Sequence, residues 1–176
     1  MEEVLIVYYS RTGTTRQAAQ QLAAMTGWPL AEVVDESGRA GWVGDLRCML
    51  DVLLRRRPAY GYRGPGFAGT EHLVVMAPVW LGRLAAPMRA FLCDRGTLAN
   101  GVSAVIVMAS RGGLSAGEEI GRIVGRAPRP MLTLRQRDVQ SGAAAGALEG
   151  FVADWNTEQR GQGAPNRPAW LSPREA

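Results

Sequence analysis

Apolar residues gather along the chain in short continuous runs at 4–9, 30–34, 72–77, 102–109 and 130–135, and the stretches between carry helical spacing or glycine-rich turns. That alternation predicts a parallel sheet wrapped by helices. The first helix sets Ala18, Leu22 and Met25 on one face, and a second sets Val43, Leu46, Leu50 and Leu53 likewise, so both faces are expected in the core. A third follows Pro87, a residue suited to a first helical turn, and carries Met88, Phe91 and Leu92. The fourth is interrupted by Gly117, Gly121 and Gly125. Each costs about 1 kcal/mol against alanine, which predicts a short segment held by packing. The fifth begins after Ser141-Gly142 and places Leu148, Phe151, Val152 and Trp155 at the spacing of one helical face. From Arg160 the pattern dissolves among Gly161, Gly163, Pro165, Pro168 and Pro173, with Trp170-Leu171 as a segment able to dock. The expected organisation is one domain over 1–158 and a flexible tail over 159–176.

Strand-helix units in this order suit a doubly wound, five-stranded parallel sheet of order 2-1-3-4-5 in a three-layer sandwich. Its ligand crevice lies beyond the carboxyl ends of strands one, three and four. Loops leaving those ends face the ligand, whereas the stretch 56–71 runs into the third strand from the opposite end.

Composition narrows the function. With 176 residues, 47% of them hydrophobic and 20% charged, the chain has the makeup of one globular domain. The first apolar run stops at Tyr9 behind Glu2 and Glu3, so neither a secretory signal nor a membrane span is expected. Cys48 and Cys93 fall in predicted helices without a C-x-x-C or metal pattern, which fits core thiols in a reducing cytoplasm. All twenty basic residues are arginine and the net charge is +4. Apart from Arg55-Arg56-Arg57, which ends a predicted helix where cations meet the dipole favourably, they are scattered, and no nucleic-acid partner is expected. His72 is the single histidine, on the side away from the crevice, so neither a metal centre nor a serine triad is expected.

The candidate chemistry sits at the end of the first strand, where Ser10, Arg11, Thr12, Gly13, Thr14 and Thr15 open the first helix. A helix start leaves backbone N–H groups without partners and carries the positive end of the macrodipole, so it holds an anion without a formal cation. The hydroxyls add donors, and Gly13 lets the backbone turn. The chain contains no lysine, which excludes the triphosphate loop G-x-x-x-x-G-K-[ST] and favours a monophosphate. The plainer alternative is a hydroxyl-rich helix cap with no ligand.

The Ser-x-Thr-Gly-x-Thr pattern resembles the FMN-phosphate loop of the flavodoxin-like family, and the resemblance covers about 1–157. It implies a flavodoxin-like fold with FMN as cofactor. The second turn, Pro78, Val79, Trp80, Leu81, Gly82 and Arg83, resembles the family's second flavin loop, which implies that Trp80 stacks on the isoalloxazine and a glycine peptide faces N5. A tryptophan covering the third helix is the alternative. The third turn, Ser110, Arg111, Gly112 and Gly113, resembles the other flavin-facing loop but lacks an aromatic. That implies an open flavin face with room for a substrate or a nicotinamide ring. The stretches 36–42 and 135–142 resemble loops of one bacterial subfamily and have no role assignable from chemistry.

Other patterns carry less. Gly64-Pro65-Gly66-Phe67-Ala68-Gly69 matches G-x-G-x-x-G but precedes a strand, so it reads as a turn. A receiver domain needs an aspartate where Ala77-Pro78 stand, and a low-molecular-weight phosphatase needs a cysteine in its phosphate loop. With FMN bound, the flavin carries the chemistry and no side chain is expected to be catalytic; Arg83 and Arg111 are the candidates for raising its potential. Three readings stand open. One is an FMN-dependent oxidoreductase taking electrons from NAD(P)H to a quinone-like or redox-protein acceptor. Another is a one-electron carrier without a substrate of its own, and the last a flavin-free interaction module.

Overall fold

The computed structural model describes residues 3–36, 58–80, 82–109 and 112–162. The elements are β1 (Glu3–Tyr9), α1 (Thr14–Thr26), β2 (Leu30–Asp35), β3 (Tyr60–Arg63), β4 (Thr70–Trp80), β5 (Arg83–Leu84), α2 (Ala86–Arg95), β6 (Gly101–Met108), α3 (Gly113–Val124), β7 (Met131–Arg135), α4 (Gln136–Gln140) and α5 (Ala145–Gln162). The helix expected over Val43–Leu53, the basic triplet, Cys48 and most of the loop at 35–42 lie outside the described residues.

The five-stranded expectation is corrected. Among the described residues the sheet has seven strands in the order β3-β2-β1-β4-β6-β7, with β5 paired to β4. The strands expected from the apolar runs are all present and mutually parallel, in the run β2-β1-β4-β6-β7. To these the chain adds β3, antiparallel on β2 from Asp35↔Tyr60 to Glu32↔Arg63, and the two-residue β5, antiparallel on the end of β4. Tyr-Gly-Tyr-Arg at an edge carries neither an apolar run nor a strict alternation, which is why β3 leaves so faint a signal.

Both faces of the sheet are buried, and the strands alternate between two cores. Leu5, Val7, Tyr9, Leu73, Val75 and Ala77 face α2 and α3 with Met88, Phe91 and Ile120. Val4, Ile6, Tyr8, Val74 and Met76 face α1 and α5 with Leu22, Leu148 and Phe151. Double burial turns a strand into a continuous apolar run. Ala18 and Leu22 of α1 are fully buried, but Met25 is 40% exposed and does not join the core face.

The fourth expected helix is longer than its glycines suggest, since α3 runs for twelve residues. A Cβ on Gly113 would collide with the Thr133 side chain and one on Gly117 with Met131, both on β7. The glycines thus let α3 approach β7 closely, and packing offsets the propensity cost. Cys93 is half-buried rather than a core thiol. Helix α5 runs from Ala145 through Gln162. Among the described residues no helix is long and apolar enough to cross a membrane.

Candidate functional site

The parallel strands deliver their carboxyl ends to one edge of the sheet, and the turn Ser10–Gly13 leaves that edge directly into α1. Gly13 has φ 91, the left-handed conformation that glycine adopts without Cβ strain. The Gly13 N–H donates to Ser10 Oγ at 3.2 Å, so Ser10 shapes the turn. The first turn of α1 carries no acidic residue, and its N-cap, Gly13, has no side chain to cap it. Its leading N–H groups therefore lack an intrahelical acceptor, and the positive end of the dipole is not neutralised by a neighbouring carboxylate in that turn. Thr12 and Thr14 hold their hydroxyls 3.5 Å apart at this end.

These groups bound a cavity of about 70 Å³, lined by Arg11, Thr12, Thr14 and Thr15 on one side and by Pro78, Val79 and Trp80 on the other. Val107, Ala109 and Gln136 complete the wall. The cavity is small, and the hydroxyls of Thr12, Thr14 and Thr15 belong to its lining. Trp80 is half-buried at this mouth, edge-on to Tyr9 with ring centroids 6.2 Å apart. Beside the cavity, on the outer side of the loop, Ser10 and Arg11 share a cleft of about 300 Å³ with Arg16, Glu32 and Asp35. Arg16 there is paired with Glu32, and this hydrogen bond raises its pKa above the usual arginine value.

The second and third turns touch through backbone. Trp80 pairs with Arg83 across the β4-β5 hairpin, whose Gly82 has φ 75. Gly112, with φ 101, leads into α3, and a Cβ there would stand 2.5 Å from the Gly82 Cα. Leu81, Ser110 and Arg111 lie outside the described residues. The structure therefore brings Arg11, Thr12, Thr14, Thr15, Pro78, Val79 and Trp80 to one cavity. Gly13 and Ser10 set the first turn; Gly82 and Gly112 form the contact between the second and third turns, Arg83 pairs with Trp80, and Gly113 packs against Thr133.

Two features went unread in the sequence. Gln136 lies far along the chain from the first turn, in a stretch singled out only by resemblance, and reaches the cavity because β7 ends beside β6. Arg89 is buried rather than superficial. Its Nε stands 3.0 Å from Glu119 Oε1, and its Nη2 donates to the Leu84 carbonyl at 3.3 Å. Glu119 Oε2 in turn accepts the Leu84 N–H at 3.0 Å. This pair ties the second turn to α3, the helix that the third turn leads into. Helical spacing alone does not separate such an arginine from a solvated one.

The sequence matches no protein-family model and no curated protein. Solved structures do match. A flavoprotein from Lactobacillus acidophilus NCFM, solved in complex with FMN, is 18% identical with a TM-score of 0.65, over 80% of this chain and 98% of that one. The apo form of the flavoprotein from the same organism, solved by NMR, gives 16% identity and a TM-score of 0.55 over 77% and 92%. A candidate flavoprotein from Bacteroides eggerthii DSM 20697 is 16% identical with a TM-score of 0.65, over 80% of this chain and 95% of that one. At these identities the likeness is one of architecture, and the chain has the doubly wound α/β fold of those flavoproteins.

Proposed function

We propose that this protein binds FMN at the carboxyl ends of β1, β4 and β6 and works as an oxidoreductase, passing electrons from a nicotinamide donor to a quinone-like or protein acceptor. The observation that carries the reading is the start of α1, which has no acidic residue in its first turn and a glycine at its N-cap, and opens on a small cavity edged with threonine hydroxyls. A flavoprotein sharing the fold and solved with FMN supports the choice of anion. With the phosphate at the start of α1, the ring system would lie over the second and third turns.

FMN, when bound, supplies the hydride and electron transfer. The chain supplies binding and environment. Thr12, Thr14 and the first-turn amides donate to the phosphate, and Arg11 adds positive charge at the same wall. Trp80 offers apolar area at the crevice mouth. Arg83, and Arg111 in the third turn, are the cations proposed to favour the reduced, more negative flavin. The absence of an aromatic from Ser110-Arg111-Gly112-Gly113 supports an open face that a nicotinamide ring could reach.

Fluorescence titration tests the binding, and anaerobic NADPH oxidation with a quinone tests the redox role. Thr12→Ala and Thr14→Ala each remove a hydroxyl donor to a charged phosphate, worth about 1.5–3 kcal/mol, or roughly tenfold or more in Kd. Unchanged affinity in both variants would remove the phosphate assignment. Flavin binding without NADPH turnover would select the one-electron carrier.

A further inference from the structure

We propose that Gln136, which follows the last residue of β7, is a specificity-determining residue whose side-chain amide donates to the phosphate ester and so separates FMN from unphosphorylated flavin. The inference rests on the FMN reading above and extends it to a strand that the three-loop description leaves out.

Gln136 stands on the wall of the same small cavity as Thr12, Thr14 and Thr15. Its place there is set by two couplings. Arg135 pairs with Met108 at the end of the β6-β7 ladder, which puts the residue after it beside Ala109 and the start of the third turn. Gln17 of α1 donates through Nε2 to the Val139 carbonyl at 3.2 Å, and Val139 is buried, so the segment carrying Gln136 is fastened to the helix that opens on the cavity. Gln136 therefore keeps its register with the first turn.

Chemistry assigns the role. A carboxamide offers two N–H donors and a carbonyl acceptor, whereas a phosphate dianion offers acceptors only. The rest of this wall mixes hydroxyls with apolar Val79 and Val107, where a donor facing an anion is poorly screened by water. From the start of α4, directly after β7, the side chain of Gln136 lines the same cavity as the threonines of the first turn. The amide reads the ester and not the ring, so its contribution vanishes with riboflavin.

The test is fluorescence titration of the full chain and two variants with FMN and with riboflavin. Gln136→Ala is expected to weaken FMN about tenfold, the size of one hydrogen bond to a charged group, and to leave riboflavin unchanged. Gln136→Glu keeps the size of the side chain and sets a carboxylate against the phosphate. It is expected to weaken FMN more than the alanine variant does, again sparing riboflavin. Equal loss for both ligands in both variants would make Gln136 structural and overturn the proposal, as would unchanged FMN affinity. If the unsubstituted protein binds FMN, those outcomes bear on Gln136 alone; if it does not, the reading of the whole site falls with it.

Discussion

At the scale of single residues, the site depends on glycines that do different work. Gly82 and Gly112 both have left-handed φ, yet a Cβ on Gly82 would meet nothing among the described residues whereas one on Gly112 would meet the Gly82 backbone. Gly82→Ala is therefore expected to cost about 1 kcal/mol of backbone strain. Gly112→Ala adds a collision that no side-chain rotation relieves, and is expected to cost at least 1 kcal/mol more. Urea midpoints of the two variants check this, and equal losses would show that the turns are not pressed together. The hydroxyl turn 10–15 was legible because its donors are consecutive and follow a strand. Gln136 and the pair Arg89–Glu119 were not, because each acquires its partner from a distant part of the chain. Gly112 was legible as a turn residue, but not the reason it must be glycine.

At the scale of elements, the clearest seam is where α5 crosses the amino ends of β4 and β6. Ser103 Oγ donates to the Arg129 carbonyl at 2.8 Å, so it receives the His72 Nε2–H at 2.7 Å and fixes that tautomer. His72 Nδ1 is left to accept from Gln159 Nε2 of α5 at 3.4 Å, with the Trp155 ring edge-on at 5.7 Å. Burial disfavours the charged imidazolium and lowers the His72 pKa from 6.5 to about 4. Above pH 6.5 folded and unfolded chains both hold the neutral ring. As pH falls from about 6.5 to about 4 only the unfolded chain takes up the proton, so stability declines by about 1.4 kcal/mol per unit, about 3 kcal/mol in all. His72→Gln is expected to lack this component. Urea unfolding at pH 7, 6 and 5 measures it, and parallel losses in both proteins would refute the buried neutral histidine. The sequence placed His72 at the start of its strand, away from the crevice, but could not show its burial. Strand runs and the apolar face of α5 were legible because burial repeats along them; β3, β5 and the full length of α3 were not. β3 and β5 are short edge pairings, and the length of α3 is decided by the contacts of Gly113 and Gly117 with β7.

At the scale of the whole molecule, the doubly wound sheet does one thing for function: it carries turns from β1, β4 and β6 to a single edge, and β7 brings Gln136 beside them. The net charge of +4, carried entirely by arginine, accompanies a crevice that includes Arg11 in its wall. The alternation of apolar runs made that architecture readable, since parallel strands need crossovers and crossovers fix which ends converge. The proposed phosphate site is tested most directly by a crystal structure of the protein grown with saturating FMN. The account predicts the phosphate at the start of α1, within hydrogen-bond reach of the Thr12 and Thr14 hydroxyls, with the ring system at Trp80. A phosphate bound elsewhere, or this turn without the ligand at saturation, would contradict it.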